Sequence, residues 1–342
     1  MAAPGSALVL ALVLAAFSQA THGRTSAKAR KGSSSRSSTT LVTPTSSPAA
    51  GSPDHEGVPS FSHVFVVMME NLSETEALAT APILALVERY ASATSYYAVS
   101  HPSLPNYLAL VSGSTWGVTS DCTSCHVSGP SLATQLQSAH ITWAAYFENM
   151  PGACFTGPQS PDGLYAQKHD PFIYFDQVRT VPGLCDHLQP LTSLTGLLGQ
   201  SSSSVPRFVW VTPDMCDDGH NCPASQAGQW LTGFVASVTS SAAWRDGGVL
   251  FVTWDEGTDD SGVDIATGDV VASGGGGNVL TLVVAPGLPT GERVTLAYNH
   301  YSMLRTIEDA FGLPLLGGAG GPGIHPMSAF WSKGSQSSSD GT

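Results

Sequence analysis

His63-Val64-Phe65-Val66-Val67-Met68-Met69 is an unbroken apolar run of strand length. A strand with one face in water alternates polar and apolar residues. This run does not alternate, so it reads as a strand buried on both faces. The rest of the chain agrees. Phe208-Val209-Trp210-Val211-Thr212, Val249 to Trp254 and Val279 to Ala285 repeat the pattern, and Ala93 to Val99 reads as a shorter strand. Helix-like stretches separate them. They are Ser73 to Arg89, opened by Ser73 and Glu76 at capping-box spacing, Ser131 to Ala139, which leads into the apolar run Ile141 to Phe147, Ala224 to Ser237, and Tyr301 to Phe311, ended by Gly312 and Pro314. Alternating strands and helices predict an α/β domain with a mostly parallel sheet. The Gly274 to Gly277 run lacks a following lysine and reads as a flexible loop, not a phosphate loop.

The chain has 342 residues, 42% of them hydrophobic, enough for one large core. The formal net charge is −13. Arg24, Lys28, Arg30, Lys31 and Arg36 all precede the first acid, Asp54, so the remainder is more acidic still. An acidic surface argues against nucleic acid as a partner. Ala7 to Phe17 is too short to span a bilayer but suits the apolar centre of a signal peptide, so residues 1–22 are expected to be a leader. No later run reaches spanning length. Residues 23–60 are rich in Ser, Thr, Pro and basic residues and read as a disordered tether; 332–342 reads as a disordered tail. The folded unit is expected over 61–331. The protein is expected to be secreted, with the tether a candidate attachment to the cell wall. Cys122, Cys125, Cys154, Cys185, Cys216 and Cys222 are even in number, which in an exported chain implies disulfides. Proximity favours Cys122–Cys125, Cys154–Cys185 and Cys216–Cys222; a zinc site at Cys122 and Cys125 is the weaker alternative.

Ligands of such sheets bind beyond the carboxyl ends of the strands. Glu70 and Asn71 follow the first strand. Asp255 and Glu256 follow Trp254. Pro213-Asp214-Met215-Cys216-Asp217-Asp218-Gly219-His220 follows Thr212. Near the same edge comes His101-Pro102-Ser103-Leu104-Pro105-Asn106-Tyr107, leading into a helix-like run, Tyr107 to Val111. Ser103 at a helix entrance, where amides are unpaired, either caps the helix or attacks phosphorus. Oxygen ligands such as Glu70, Asn71, Asp255 and Glu256 suit Mg, Ca or Mn, and an added histidine admits Zn or Fe. A divalent cation beside Ser103 would activate its hydroxyl and neutralise phosphate. His169, His220 and His300 are the candidate phosphate-facing or proton-donating histidines.

Met69-Glu70-Asn71, the His101–Tyr107 stretch, Lys168-His169-Asp170-Pro171-Phe172, Pro213 to His220 and Thr253-Trp254-Asp255-Glu256-Gly257 together resemble, in order and spacing, the bacterial phosphoesterase family of secreted acid phosphatases and phospholipases C. The resemblance covers roughly residues 61 to 315. It implies an alkaline-phosphatase-like, doubly wound α/β sheet sandwiched by helices. It implies Ser103 as nucleophile and Glu70, Asn71, Asp255, Glu256 and Ser103 as metal-binding positions. It puts His169 and His220 at the phosphate and matches Asp218 to the acid of its motif; Asn106 and His300, to which the resemblance assigns no role, are expected as further substrate contacts. Asp170 and Asp214 stand where relatives frequently carry Asn; acids beside phosphate would favour work below neutrality. The length is closer to the small acid phosphatases, which implies a small phosphomonoester, a phosphoinositide included, as substrate. A phospholipase C acting on a phospholipid head group is the enzyme alternative. A secreted Ca-binding protein without activity is the alternative of another class.

Overall fold

The computed structural model describes residues 57–332. The expected leader, most of the tether and nearly all of the tail lie outside the described residues. The fold begins slightly before Phe61, because Val58 already packs against the core.

The strands, in chain order, are β1 (His63–Met69), β2 (Ala91–Tyr97), β3 (Trp143–Phe147), β4 (Leu188–Pro190), β5 (Phe208–Thr212), β6 (Gly248–Trp254), β7 (Gly262–Val263), β8 (Val270–Val271), β9 (Asn278–Val284), β10 (Arg293–Val294) and β11 (Tyr298–Asn299). One sheet runs in the order β10-β2-β9-β6-β1-β5-β3-β4, with β11 also on β2; β7 and β8 form a separate hairpin. β1 lies between β5 and β6 and is parallel to both. Every residue of β1 and β6 is buried, which is why neither alternates in sequence. The antiparallel strand is β9, set between β6 and β2. Buried on both faces, it carries the same apolar run as its parallel neighbours, so pattern alone could not give its direction.

The helices are α1 (Glu74–Leu78), α2 (Ala81–Arg89), α3 (Ser103–Ser112), α4 (Leu132–Ser138), α5 (Asp176–Thr180), α6 (Leu191–Leu198), α7 (Ala224–Ser240), α8 (Ala242–Arg245) and α9 (His300–Phe311). α2 packs on α7 and α3 on α9. The expected helix over Ser73 to Arg89 is two helices. Ser73 and Glu76 do form the capping box of α1. Pro82 would clash with the Leu78 carbonyl in a continuous helix, so the chain breaks at Thr80 and restarts with Pro82 in the first turn of α2. α3 starts at Ser103, four residues before the expected Tyr107, because Pro105 in its first turn needs no amide partner. Gly113 ends it in the left-handed conformation. β2 is Ala91–Tyr97, two residues earlier than expected. The cysteines are paired as Cys122–Cys125, Cys154–Cys185 and Cys216–Cys222.

Because β1, β2, β5 and β6 share a direction, their carboxyl ends meet at one edge. Glu70, the loop to Ser103, the loop after Thr212, and Asp255 with Glu256 therefore open on the same place. The cross-ties are backbone bonds. Glu70 N–H donates to the Asp218 carbonyl at 3.0 Å, and Asp255 N–H to the Met69 carbonyl at 3.0 Å. Gly219, at φ +105, lets the β5 loop turn against Glu70; a Cβ there would sit 3.2 Å from the Glu70 carbonyl.

Candidate active site

Ser103 is the first residue of α3 and is buried. Its Oγ lies 3.2 Å from Glu70 Oε2 and 3.3 Å from Glu256 Oε1. A capping serine would precede the helix and bind an amide of its first turn; here Pro102 holds that position, and Ser103 Oγ donates to the carboxylates. Asn71 takes the left-handed conformation, φ +49, which Asn tolerates better than most residues. Its backbone N–H donates to Asp255 Oδ1 at 2.9 Å and its side-chain amide to Glu70 Oε2 at 3.4 Å. Glu70, Asp255 and Glu256 thus gather around one point beside the serine.

That gathering is electrostatically unbalanced. Burial, then Glu70 and Glu256, push the Asp255 carboxyl well above its ordinary value, and its Oδ2 has no hydrogen-bond partner. Burial likewise raises Glu256. Buried carboxylates in contact are held together by a shared proton or a cation. An orphaned, fully buried carboxylate oxygen among oxygen donors fits a hard divalent cation. Glu70, His169 and His220 make a second grouping, with ligand atoms within 4.8 Å of one another.

Glu70 is the most tightly held of the three carboxylates. Burial alone would raise it, but His169 and Tyr107 outweigh burial and bring it down to about 2. Tyr107, one turn after Ser103 on α3, donates its hydroxyl to Glu70 Oε1. His169 Nε2 lies 3.2 Å from the same oxygen and Nδ1 lies 3.4 Å from Asp218 Oδ2, while the ring stacks on Tyr107. Burial opposes a charge on His169, yet Glu70 and Asp218 raise it to about 9. Both ring nitrogens lie within ion-pair distance of carboxylates, although Nε2 makes no hydrogen bond, which gives His169 the position of a charged neighbour that holds Glu70 ionised.

His220 is the half-exposed histidine of the pair. Its backbone N–H donates to Asp218 Oδ1 at 2.7 Å, which fixes the turn. Its Nε2 lies 3.0 Å from Lys168 Nζ and its Nδ1 2.8 Å from Asn221 Oδ1. With Lys168 as ammonium donor, Nε2 accepts and Nδ1 carries the proton. Lys168 also pairs with Asp121 Oδ2 at 3.0 Å.

Two of the expected substrate contacts are occupied elsewhere. Asn106 Oδ1 accepts from the Val99 and Ser100 amides, and its Nδ2 donates to the Ser100 and Pro102 carbonyls. It holds the His101–Ser103 turn. His300 is fully buried behind the site, between the Asp255 carbonyl at 2.8 Å and the Tyr96 hydroxyl at 3.2 Å, and burial lowers it to about 4. The two acids expected near phosphate are also turned away. Asp170 Oδ1 accepts from the Phe172 and Ile173 amides, with Tyr165 on Oδ2. Asp214 Oδ1 accepts from Cys216 and Asp217, with Asn149 on Oδ2. Both are Asx turns, so neither lends the site a reason to work below neutrality. Asp214 instead groups with Glu148 and Asp217, away from the serine's partners.

Lys168, Tyr107, Asp121 and His101 were not assigned from sequence. His101 Nδ1 binds Glu256 Oε2, and its Nε2 lies 3.0 Å from the Asp259 carbonyl. Burial would lower His101, but the Asp259 carbonyl and Glu256 raise it, so a doubly donating imidazolium fits both partners. Tyr107 carries a readable local signal, its four-residue spacing from Ser103. Asp121 carries none.

The geometry has counterparts. Against a phosphatidylinositol-3-phosphatase of Mycobacterium tuberculosis the chain is 30% identical over 280 residues, covering 80% of this chain and 84% of that one. Against an acid phosphatase of Aspergillus fumigatus it is 26% identical over 268 residues, covering 77% of this chain but 57% of the fungal one. The chain spans less than two thirds of the length of that relative. A lipoteichoic acid synthase structure from Listeria monocytogenes superposes with a TM-score of 0.50 at 12% identity, covering 82% of this chain and 77% of that one, which is a likeness of fold. The sequence profile of the Phosphoesterase family matches residues 68–314, from the end of β1 to beyond α9. That match takes in Glu70, Ser103, His169, His220 and Glu256 together, and the chain belongs to the phosphoesterase family.

Proposed function

We propose that the folded unit is a phosphomonoester hydrolase of the acid phosphatase type, exported from the cell, with Ser103 as nucleophile. The observation that carries this is the buried Ser103 hydroxyl at the entrance of α3, within reach of two carboxylates and of no capping amide. The Ser103 proton passes to Glu256 as Oγ bonds to phosphorus. The bond from phosphorus to the substrate alcohol breaks on the opposite side, and the departing oxygen takes a proton from water. Water then splits the phosphoseryl bond, its hydroxyl going to phosphorus and its proton to Ser103 Oγ, and Glu256 releases to solvent the proton it took. Lys168 is placed to hold phosphate oxygens. His169 and Tyr107 keep Glu70 ionised and oriented.

Glu70, Asn71, Asp255 and Glu256, with the Ser103 hydroxyl, would hold a divalent cation. When bound, it would offset the carboxylate charge and polarise the phosphoryl group. Three disulfides suit an oxidising compartment. No helix among the described residues is long and apolar enough to cross a membrane. The name of the mycobacterial relative supports phosphoinositides as a substrate to test first.

The test is hydrolysis of a chromogenic phosphomonoester, a phosphoinositide and a choline phosphodiester from acidic to alkaline pH, with and without chelator. Turnover of the monoesters, lost in Ser103→Ala while the melting temperature is kept, is expected. Turnover of the diester alone would make the protein a phospholipase C. A folded, cation-loaded protein without any turnover would leave the binding-protein reading.

A further inference from the structure

Asp121 lies in the segment between α3 and α4, and its carboxylate touches two groups. Oδ1 accepts from the Leu104 backbone N–H at 3.0 Å, and Oδ2 takes Lys168 Nζ at 3.0 Å. Leu104 directly follows Ser103, so its amide is covalently held beside the Ser103 hydroxyl. It is the second residue of a ten-residue helix. Pro105 has no N–H, so few donors are present at this helix entrance, and Asp121 uses one of them. An amide at a helix start and a lysine ammonium are what a phosphate monoester would seek beside Ser103. Ser103 is itself only 1% exposed. In this state the nucleophile is buried, and both the amide next to it and the Lys168 ammonium are occupied by the protein's own anion.

We infer that Asp121 is a built-in stand-in for the substrate phosphate, so that phosphate binding is an exchange in which Asp121 leaves the Leu104 amide and Lys168. This rests on the phosphatase reading. The relative exposure of the partners supports the direction of the exchange. The Asp121 side chain is 29% exposed and that of Lys168 17%, so the carboxylate can turn into water at lower cost than the ammonium. Asp121 makes two contacts, whereas Lys168 keeps His220 after the carboxylate leaves. The backbone after Asp121 is fixed. Cys122 is bonded to Cys125, Gln167 Nε2 donates to the Thr123 carbonyl at 3.2 Å, and the Val127 amide donates to the Tyr174 carbonyl at 2.8 Å. The exchange therefore needs a side-chain rotation and no loop opening. It has a functional consequence. Neutral or weakly charged ligands cannot compete for Lys168, so the closed site selects dianionic phosphate over neutral solutes and water.

The test compares the full chain with Asp121→Asn and Asp121→Ser, cation supplied, by two readouts: KM for a chromogenic phosphomonoester, and orthophosphate binding by calorimetry. Removing the competing charge is expected to lower both KM and the orthophosphate dissociation constant by roughly 5-fold, the scale of one partly exposed ion pair. The Ser variant serves if the Asn variant melts early. Unchanged or raised values in folded variants overturn the exchange; raised values would make Asp121 a permanent holder of Lys168. Orthophosphate that binds tighter to the variants while the wild type turns over nothing would keep the exchange and sink the phosphatase reading. A wild type that neither turns over nor binds orthophosphate overturns both.

Discussion

Asp170 offers a test of how burial, and not the active site, sets this protein's response to pH. Its carboxyl is fully buried under Tyr165 and accepts the Phe172 and Ile173 amides. Burial raises it from 3.8 to about 7, against the pull of those amides. The sign follows from linkage. A carboxyl raised on folding favours the native state while protonated. That advantage is complete below 3.8 and is lost as pH rises through about 7. At ~1.4 kcal/mol per pH unit, the loss accumulated by pH 7 approaches ~4 kcal/mol, and local relaxation leaves ~2 kcal/mol as a floor. Asp170→Asn has the same shape, keeps the oxygen that accepts the two amides, and never ionises. Its amide can donate to the Tyr165 hydroxyl in place of the present bond. The variant is therefore expected to match the wild type at pH 4 and to gain ~2–4 kcal/mol near pH 7.5, a rise of roughly 5–10 °C in melting temperature. Thermal and denaturant unfolding at pH 4, 5.5, 7 and 8.5 measure it directly. An equal gain at every pH would show that the benefit is steric. A loss at pH 7.5 would show that the charge itself is needed, and either result would refute the reasoning.

Two further outcomes follow from the same geometry. Glu308 is buried in α9 and raised by burial to about 9, with Oε1 accepting the Leu316 amide at 2.9 Å. Glu308→Gln keeps that acceptor, so the variant should flatten the decline in stability between pH 5 and 9 and gain ~2–4 kcal/mol at pH 8, read by unfolding in denaturant. Tyr107→Phe removes the hydroxyl that donates to Glu70. A lost buried bond to a charged group costs ~1.5–3 kcal/mol, so kcat/KM should fall roughly 10- to 100-fold with the fold kept, and an unchanged kcat/KM would take Tyr107 out of the site.

The strands were legible because burial on both faces leaves a continuous apolar run, and the site was legible because acids directly after such strands must share an edge. Glu70, Asp255 and Glu256 needed nothing more than strand ends and chain order, whereas Ser103 stood out by its helix entrance and by the resemblance. What escaped has physical reasons. The direction of β9 leaves no trace in a doubly buried run. β4, α5 and α6 are short pieces, of three, five and eight residues, too short for a pattern that repeats several times. Asp121 meets Lys168 across 47 positions through two irregular loops, and no local pattern encodes that meeting. Asp170 and Asp214 are the more instructive misplacement. Each bonds the amides two and three residues ahead, a spacing that an Asp before a turn announces in sequence. Read that way, both acids belong to their own loops.

The pH argument then moves with them. Repulsion of phosphate by extra acids then gives no argument for work below neutrality. Burial acts on stability instead: Asp170 and Glu148 are raised to about 7 and Glu308 to about 9, and each weakens the fold as pH climbs. Glu70, held near 2, works in the opposite sense, since the stability it contributes is lost only as pH falls through about 2. The site carboxylate that His169 and Tyr107 hold ionised and the core carboxyls that prefer their protons are thus both satisfied between these limits, on the acidic side of neutrality. The interior thus gives stability a pH dependence of its own, separate from whatever the chemistry at Ser103 requires.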